Sequence, residues 1–167
     1  MLIDIINQQR SEKIAKKEWK EFALSVLEAL SLEQVEVSIV FVGDRKIRAL
    51  NKEFRGIDKP TDVLSFSYQT TENTTNSDAI DGTFYEQLAT FAGNYLGDVV
   101  ISTQTAVVYA KKLGLTFDQE IKVLIIHGLL HLCGYDHEID NGEMDELEQK
   151  LRKQLLGFTT LNIPSDS

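Results

Sequence analysis

Apolar positions recur along the chain in two rhythms, one of period two and one of three to four, and the changes between them mark its elements. Residues 2–6 are short, apolar and β-branched, the pattern of a first strand. From Ser11, placed to open a helix, Ile14, Phe22, Ala23, Val26, Leu27 and Leu30 recur at helical spacings, so one face of that helix should lie on the core. Val35, Val37, Ile39 and Phe41 alternate with Glu36, Ser38, Val40 and Val42 in a second strand. Gly43 breaks it, and Asp44 offers an N-cap for a short helix with Ile47, Leu50 and Phe54 facing inward. That leaves Arg45, Arg48, Lys52 and Arg55 toward solvent or a cleft. Residues 61–68, after Pro60, and residues 96–102 read as two further strands. Ser102 can cap a helix carrying Ala106, Val107, Ala110 and Leu113 that stops at Gly114. Thr116 and Gln119 match a capping box, so another helix begins there and runs to about Leu132, ending at Gly134. Asp140 with Glu143 starts a last helix bearing Met144, Leu147, Leu151 and Leu155, closed by Gly157.

The order is strand, helix, strand, helix, strand, insertion, strand and then three helices, which predicts an α+β fold: a mixed four-stranded sheet packed with about five helices. At 167 residues the chain suits one domain, 1–167. Residues 70–94 break the pattern, with four acids, no Lys or Arg and no sustained apolar period, and read as a loop insertion. The ten-residue stretch from Val123 to Leu132 is far short of the roughly twenty that a membrane helix needs. The first residues lack a basic leader, and Asp4 interrupts their apolar run. Cys133 is a single cysteine with no disulfide partner. Together these predict a cytoplasmic protein without a membrane association.

The net charge of −9 argues against a protein coated in nucleic acid, but the distribution is uneven. Between Arg45 and Lys59, six basic residues (Arg45, Lys46, Arg48, Lys52, Arg55, Lys59) face two acids (Glu53, Asp58), a local balance of +4. Residues 136–148 hold seven acids and no Lys or Arg. Most of each segment is the ordinary solvated face of a helix, yet one basic surface can sit on this acidic body.

All three histidines, His127, His131 and His137, fall within eleven residues. His127 and His131 are four apart on an expected helix, so their imidazoles project from one face at a separation that suits one Zn²⁺. Gly134 can turn the chain by taking a left-handed conformation, returning His137 as a third ligand. Three protein ligands leave a fourth position for water, the mark of a catalytic rather than a structural site. Cys133 is the only thiol available to close it, and lies on another side of the helix; a small buried apolar role suits it better. A single histidine is most often just a satisfied core or surface residue, but three so close together favour metal.

The run His127-Gly-Leu-Leu-His131-Leu-Cys-Gly-Tyr-Asp-His137 resembles the signature H-G-x-L-H-L-x-G-Y-D-H of the YbeY family of metal-dependent endoribonucleases. Residues 50–66, which contain Arg55-Gly-Ile-Asp58-Lys-Pro60-Thr-Asp-Val-Leu-Ser-Phe66, and Leu96-Gly-Asp-Val-Val-Ile-Ser102 resemble it too, in the same order along most of the chain. The resemblance implies a cytoplasmic α+β domain related to zinc metalloproteases. It implies activity in 16S rRNA 3′-end maturation and ribosome quality control, with ribosomal RNA, the small ribosomal subunit and its assembly factors as partners. It also implies His127, His131 and His137 as metal ligands and Arg55 as a residue needed for activity. The long insertion and the short tail after Gly157 depart from the pattern.

In a metallopeptidase helix, the first ligand is followed by the Glu that serves as general base. Here that position is Gly128, which disfavours peptide hydrolysis by the usual route. Phosphodiester cleavage instead needs charge stabilisation, which a cation and the planar fork of Arg55 can both supply. Without the motif, Arg55 would read as a helix-end arginine on the last carbonyls. Arg45, Arg48, Lys52, Arg55 and Lys59 are the expected substrate-binding residues, with Arg55 and His127 catalytic. Asp62 and Asp136 are candidates to orient an imidazole or a water, or simply to cap a turn. The expectation is a hydrolase of single-stranded RNA with one Zn²⁺ per chain, although imidazole also suits other divalent transition metals. Its rivals are a metallopeptidase and a non-catalytic ribosome-assembly factor in which the metal only stiffens the fold.

Overall fold

A computed structural model describes residues 2–32, 34–68, 95–135 and 141–157. Among them are four strands and five helices: β1 (Leu2–Asn7), α1 (Lys16–Ala29), β2 (Glu36–Val42), α2 (Asp44–Arg55), β3 (Val63–Ser67), β4 (Tyr95–Ser102), α3 (Thr103–Leu113), α4 (Phe117–Leu132) and α5 (Glu143–Leu156). The sheet order is β1-β2-β4-β3. The first three are mutually parallel, and β3 runs antiparallel to β4 at one edge. The fold is the mixed α+β arrangement that the periodicity predicts. The insertion at 70–94, Asp136, His137 and Asp140 lie outside the described residues.

Register sorts the side chains onto two faces, because successive residues of a strand point opposite ways. Ile5, Ile39 and Val99 align across the sheet, as do Phe41, Ile101 and Val63. This face packs with α1, α4 and α5 in the main core. Val40, Val100 and Leu64 align on the other face and pack with Ile47 and Leu50 of α2. Helix α4 is buried nearly all round, consistent with its place between the sheet and other helices. Its start is local chemistry: Thr116 Oγ1 accepts from the Gln119 amide at 3.1 Å, and Gln119 Oε1 accepts from the Thr116 amide at 2.9 Å.

Three expectations need correction. Asp44 is the first residue of α2 rather than its cap; Gly43 holds the cap position. The Asp44 carboxylate instead accepts from Ser102 Oγ and Thr105 Oγ1, both at 2.6 Å, while Gln104 Oε1 accepts from the Asp44 amide at 2.7 Å. Parallel strands β2 and β4 end side by side, Val42 opposite Ser102, so the starts of α2 and α3 meet and share these groups. Ser11 does not open α1, which begins at Lys16 without a side-chain cap. Its hydroxyl donates to Gln9 Oε1 at 3.1 Å, and Gln9 also accepts from Thr103 Oγ1, tying this segment to α3. Phe54 does not face the core: it is 60% exposed, because the inward stripe of α2 has by then reached the edge strand.

Gly128 sits where α4 comes closest to the sheet. A Cβ there would lie 2.5 Å from Val99 Cγ1 and 3.3 Å from Ser65 Oγ. Ser65 Oγ donates to the Gly128 carbonyl at 3.1 Å, binding β3 directly to the helix. Helix propensity alone makes Gly128→Ala stabilising by about 1 kcal/mol, whereas forcing a methyl group into a packed interior costs about 1–3 kcal/mol. The contact distance decides for the second, so urea denaturation should show Gly128→Ala less stable than the parent. A more stable variant would mean that α4 has room to move away from β4.

Candidate active site

His127 and His131 project from the same face of α4, as their spacing predicts. Their Nε2 atoms are 3.1 Å apart, with the rings edge to face at 76°. Two nitrogens each about 2.05 Å from one tetrahedral ion would stand about 3.3 Å apart, so the pair fits a single metal. His127 is buried and His131 half-buried, which gives the pair a protected and an accessible side. Gly134 takes the expected left-handed conformation, with φ +93°. His137 and Asp136, just beyond it, lie outside the described residues; among those described, no third His, Cys, Asp or Glu joins the pair.

The second ring nitrogen of His127 is held by residues that periodicity does not assign to a site. Nδ1 lies 3.1 Å from Glu148 Oε1, and Arg152 Nη2 donates to the same oxygen at 2.8 Å. Glu148 and Arg152 are both buried, one turn apart on α5. Burial opposes ionisation of Glu148. The hydrogen bond and charge of His127 and those of Arg152 outweigh it, and hold the carboxyl below its ordinary value. An ionised carboxylate can only accept, so Nδ1 is the nitrogen that carries a proton toward Glu148, and Nε2 is the nitrogen that faces His131. The sequence signal was a Glu lying on the apolar stripe of Met144, Leu147 and Leu151.

Two further acids belong to the same electrostatic neighbourhood, Asp62 through His127 and Glu120 through Asp62 and Arg152. Asp62, at the start of the β3 edge, has its carboxyl raised by burial, partly offset by His127 and by the Val63 amide that donates to it at 2.8 Å. The structure thus places Asp62 within the electrostatic reach of His127. Glu120 lies two turns before His127 on α4 and is 2% exposed. Its Oε2 has no hydrogen-bond partner among the described residues. Burial first, and Asp62 second, push its carboxyl up to about 7 against the pull of Arg152. Cys133 takes no part: burial pushes its thiol up to about 12, and it lines an apolar cavity of about 180 Å³ with Leu30, Leu32, Leu96 and Tyr135.

The basic segment is not gathered around the histidines. Arg45, Arg48, Lys52 and Arg55 are exposed on α2, which packs on the opposite face of the sheet from α4. Arg48 Nε pairs with Asp58 at 2.9 Å, and Lys52 Nζ lies 3.9 Å from the same carboxylate. The Lys59 carbonyl accepts from buried Asn51 at 2.9 Å, fixing the loop while its side chain is exposed. Residues 56–62 join the two regions, leaving α2 at Arg55 and ending at Asp62. Among the described residues, this loop and the β3 edge are what connect the face that carries α2 to the face that carries α4.

Removing Glu148 would take away the carboxylate that accepts from both His127 and the buried Arg152 guanidinium, so Glu148→Ala should cost about 3–5 kcal/mol in denaturant unfolding. Methionine at both positions should recover most of that loss; no recovery would mean that the pair is not the source. Glu120 makes a pH prediction of definite sign. Its carboxyl is neutral in the folded chain to about pH 7 but ionises near its ordinary 4.5 when unfolded. Its cost is absent below 4.5, grows through the interval and is complete above 7. Glu120→Gln should therefore gain stability over the parent as pH rises from 5 to 8; a constant difference in thermal melts would refute the shift.

Comparison with known proteins gives the family to which the chain belongs. The chain is 42% identical over 149 residues to a protein of Aquifex aeolicus named Endoribonuclease YbeY, covering 88% of this chain and 82% of that one. It is 37% identical over 155 residues to its namesake from a Sulfurihydrogenibium species, covering 90% and 91%. The solution structure of a Thermotoga maritima protein resembles the fold with a TM-score of 0.59 at 26% identity, covering 93% of this chain and 90% of that one. The family profile described as Endoribonuclease YbeY matches residues 4–156, and the chain belongs to that family.

Proposed function

We propose that this chain is a metal-dependent endoribonuclease of single-stranded RNA. On this reading it acts in the cytoplasm, in 16S rRNA 3′-end maturation and ribosome quality control, on the small ribosomal subunit together with its assembly factors. The observation that carries the proposal is the convergence of His127 and His131 Nε2 at 3.1 Å in a member of an endoribonuclease family. His137 is the proposed third ligand, and one Zn²⁺ per chain the proposed cofactor, with other divalent transition metals as substitutes. When bound, such an ion supplies Lewis-acid stabilisation of phosphoryl oxygens and lowers the pKa of a water.

The chain's own residues do the rest. Glu148 holds His127 in the tautomer that leaves Nε2 free to ligate. Asp62, within the electrostatic reach of His127, is proposed to orient an imidazole or a water, with Asp136 its proposed companion. Arg55 presents a fork to the phosphate, while Arg45, Arg48, Lys52 and Lys59 meet the backbone on either side. The metallopeptidase reading is disfavoured by Gly128: the base it needs has no room, since even a Cβ would strike Val99.

The test is metal content measured with cleavage of labelled single-stranded RNA and of casein by one preparation. About one transition metal per chain is expected, with RNA cleavage lost on chelation, restored on metal addition, and casein left intact. A His127→Ala, His131→Ala variant should lose the metal, and full occupancy in it would displace the site. Arg55→Lys should lose on the order of tenfold or more in cleavage at an unchanged melting temperature. Metal without cleavage of either substrate would favour the assembly-factor reading.

A further inference from the structure

Beside Arg55 stands an aromatic ring to which the reading above gives no task. Phe54, in the last turn of α2, is 60% exposed. Its ring meets that of Phe66 edge to face, centroids 5.0 Å apart at 68°. Phe66 belongs to β3, the edge strand, and is itself packed into the cluster beneath α2. One side of Phe54 is thus supported while its remaining surface meets water.

The charges around it are neutralised only in part. Arg48 and Lys52 share Asp58. Arg55, next to Phe54, and Lys59, in the loop that follows, are exposed and form no ion pair among the described residues. Glu53 and Arg55 lie about 100° around the axis from Phe54 in opposite directions, so the ring has an acid on one side of the helix and a cation on the other. A supported aromatic surface on a segment that carries exposed cations suits single-stranded nucleic acid: phosphates meet the charges, and a base of any identity stacks on the ring.

We propose that Phe54, supported by Phe66 and carried on the segment that also bears exposed Arg55 and Lys59, is a base-stacking subsite for the single-stranded RNA substrate. The strand passes around the β3 edge from this face of the sheet to His127 and His131 on the other. The inference rests on the reading that RNA crosses the basic segment. It adds a contact to the base rather than to the backbone, which makes it separable from that reading.

The experiment compares a short labelled oligouridine with an abasic ribose-phosphate strand of equal length, using the full chain and reading anisotropy before cleavage is detectable. Phe54→Leu should bind oligouridine about 5- to 150-fold more weakly than the parent and the abasic strand equally well. Arg55→Gln should weaken both. In Phe54→Trp the new indole should be quenched by oligouridine and not by the abasic strand, whereas the parent's Trp19, 2% exposed, should not respond. This variant reports even where Phe54→Leu folds poorly. Equal losses on both strands, no loss on either, or an unquenched indole would overturn the subsite. A parent that binds neither strand would overturn the RNA path and the subsite with it, while loss confined to Arg55→Gln would leave the path and remove only the subsite.

Discussion

Helix α4 can lie against the sheet at van der Waals distance because residue 128 carries no side chain, and much of the rest depends on that approach. Val99 fills the space a Cβ would take, and Ser65 reaches across to the Gly128 carbonyl. The contact ties the edge strand to the helix carrying His127 and His131. It places Asp62, just before β3, within the electrostatic reach of His127. The same absence of a side chain leaves the position after His127 without an acid, so one packing constraint bears on both the geometry of the site and the chemistry open to it.

Around this contact the molecule keeps several ionisable groups out of water, an arrangement that is costly unless each is answered. Glu148 is answered twice, by His127 and Arg152, and stays ionised. Glu120 is answered less well and is held neutral to about pH 7. The difference follows from position. Glu148 shares a helix turn with its counter-charge, whereas Glu120 feels the repulsion of another acid, Asp62. The interior thus holds one fixed negative charge behind His127, which orients the imidazole, and a protonated acid farther along the helix.

The sheet separates two kinds of surface. One face carries α4 and its histidines, and the other carries α2 with its cations and Phe54. Among the described residues, β3 and residues 56–62 lie between them, at an edge where β4 is the sole partner strand. A substrate served by both faces must be long and flexible enough to bend around that edge. Single-stranded RNA has those properties, and a chain of net charge −9 can hold it only where local charge is reversed.

By itself the sequence determined what depends on neighbours a few residues away: the order of elements, the helix starts at Ser102 and Thr116, the stop at Gly114 and the shared face of His127 and His131. These are set by backbone sterics and by hydrogen bonds that close within one turn. The family motifs, too, were legible there. Only the tertiary structure decided that Asp44 serves α3 as well as α2, that Ser11 turns toward Gln9, and that Phe54 stands in water beyond the core. It alone brought Glu148 and Arg152, some 21 and 25 residues away in sequence, behind His127, and set the basic segment on the far face. A polar side chain bonds the nearest suitable partner in space, and a sheet assigns its two faces by pairing, so both outcomes required the fold to be formed.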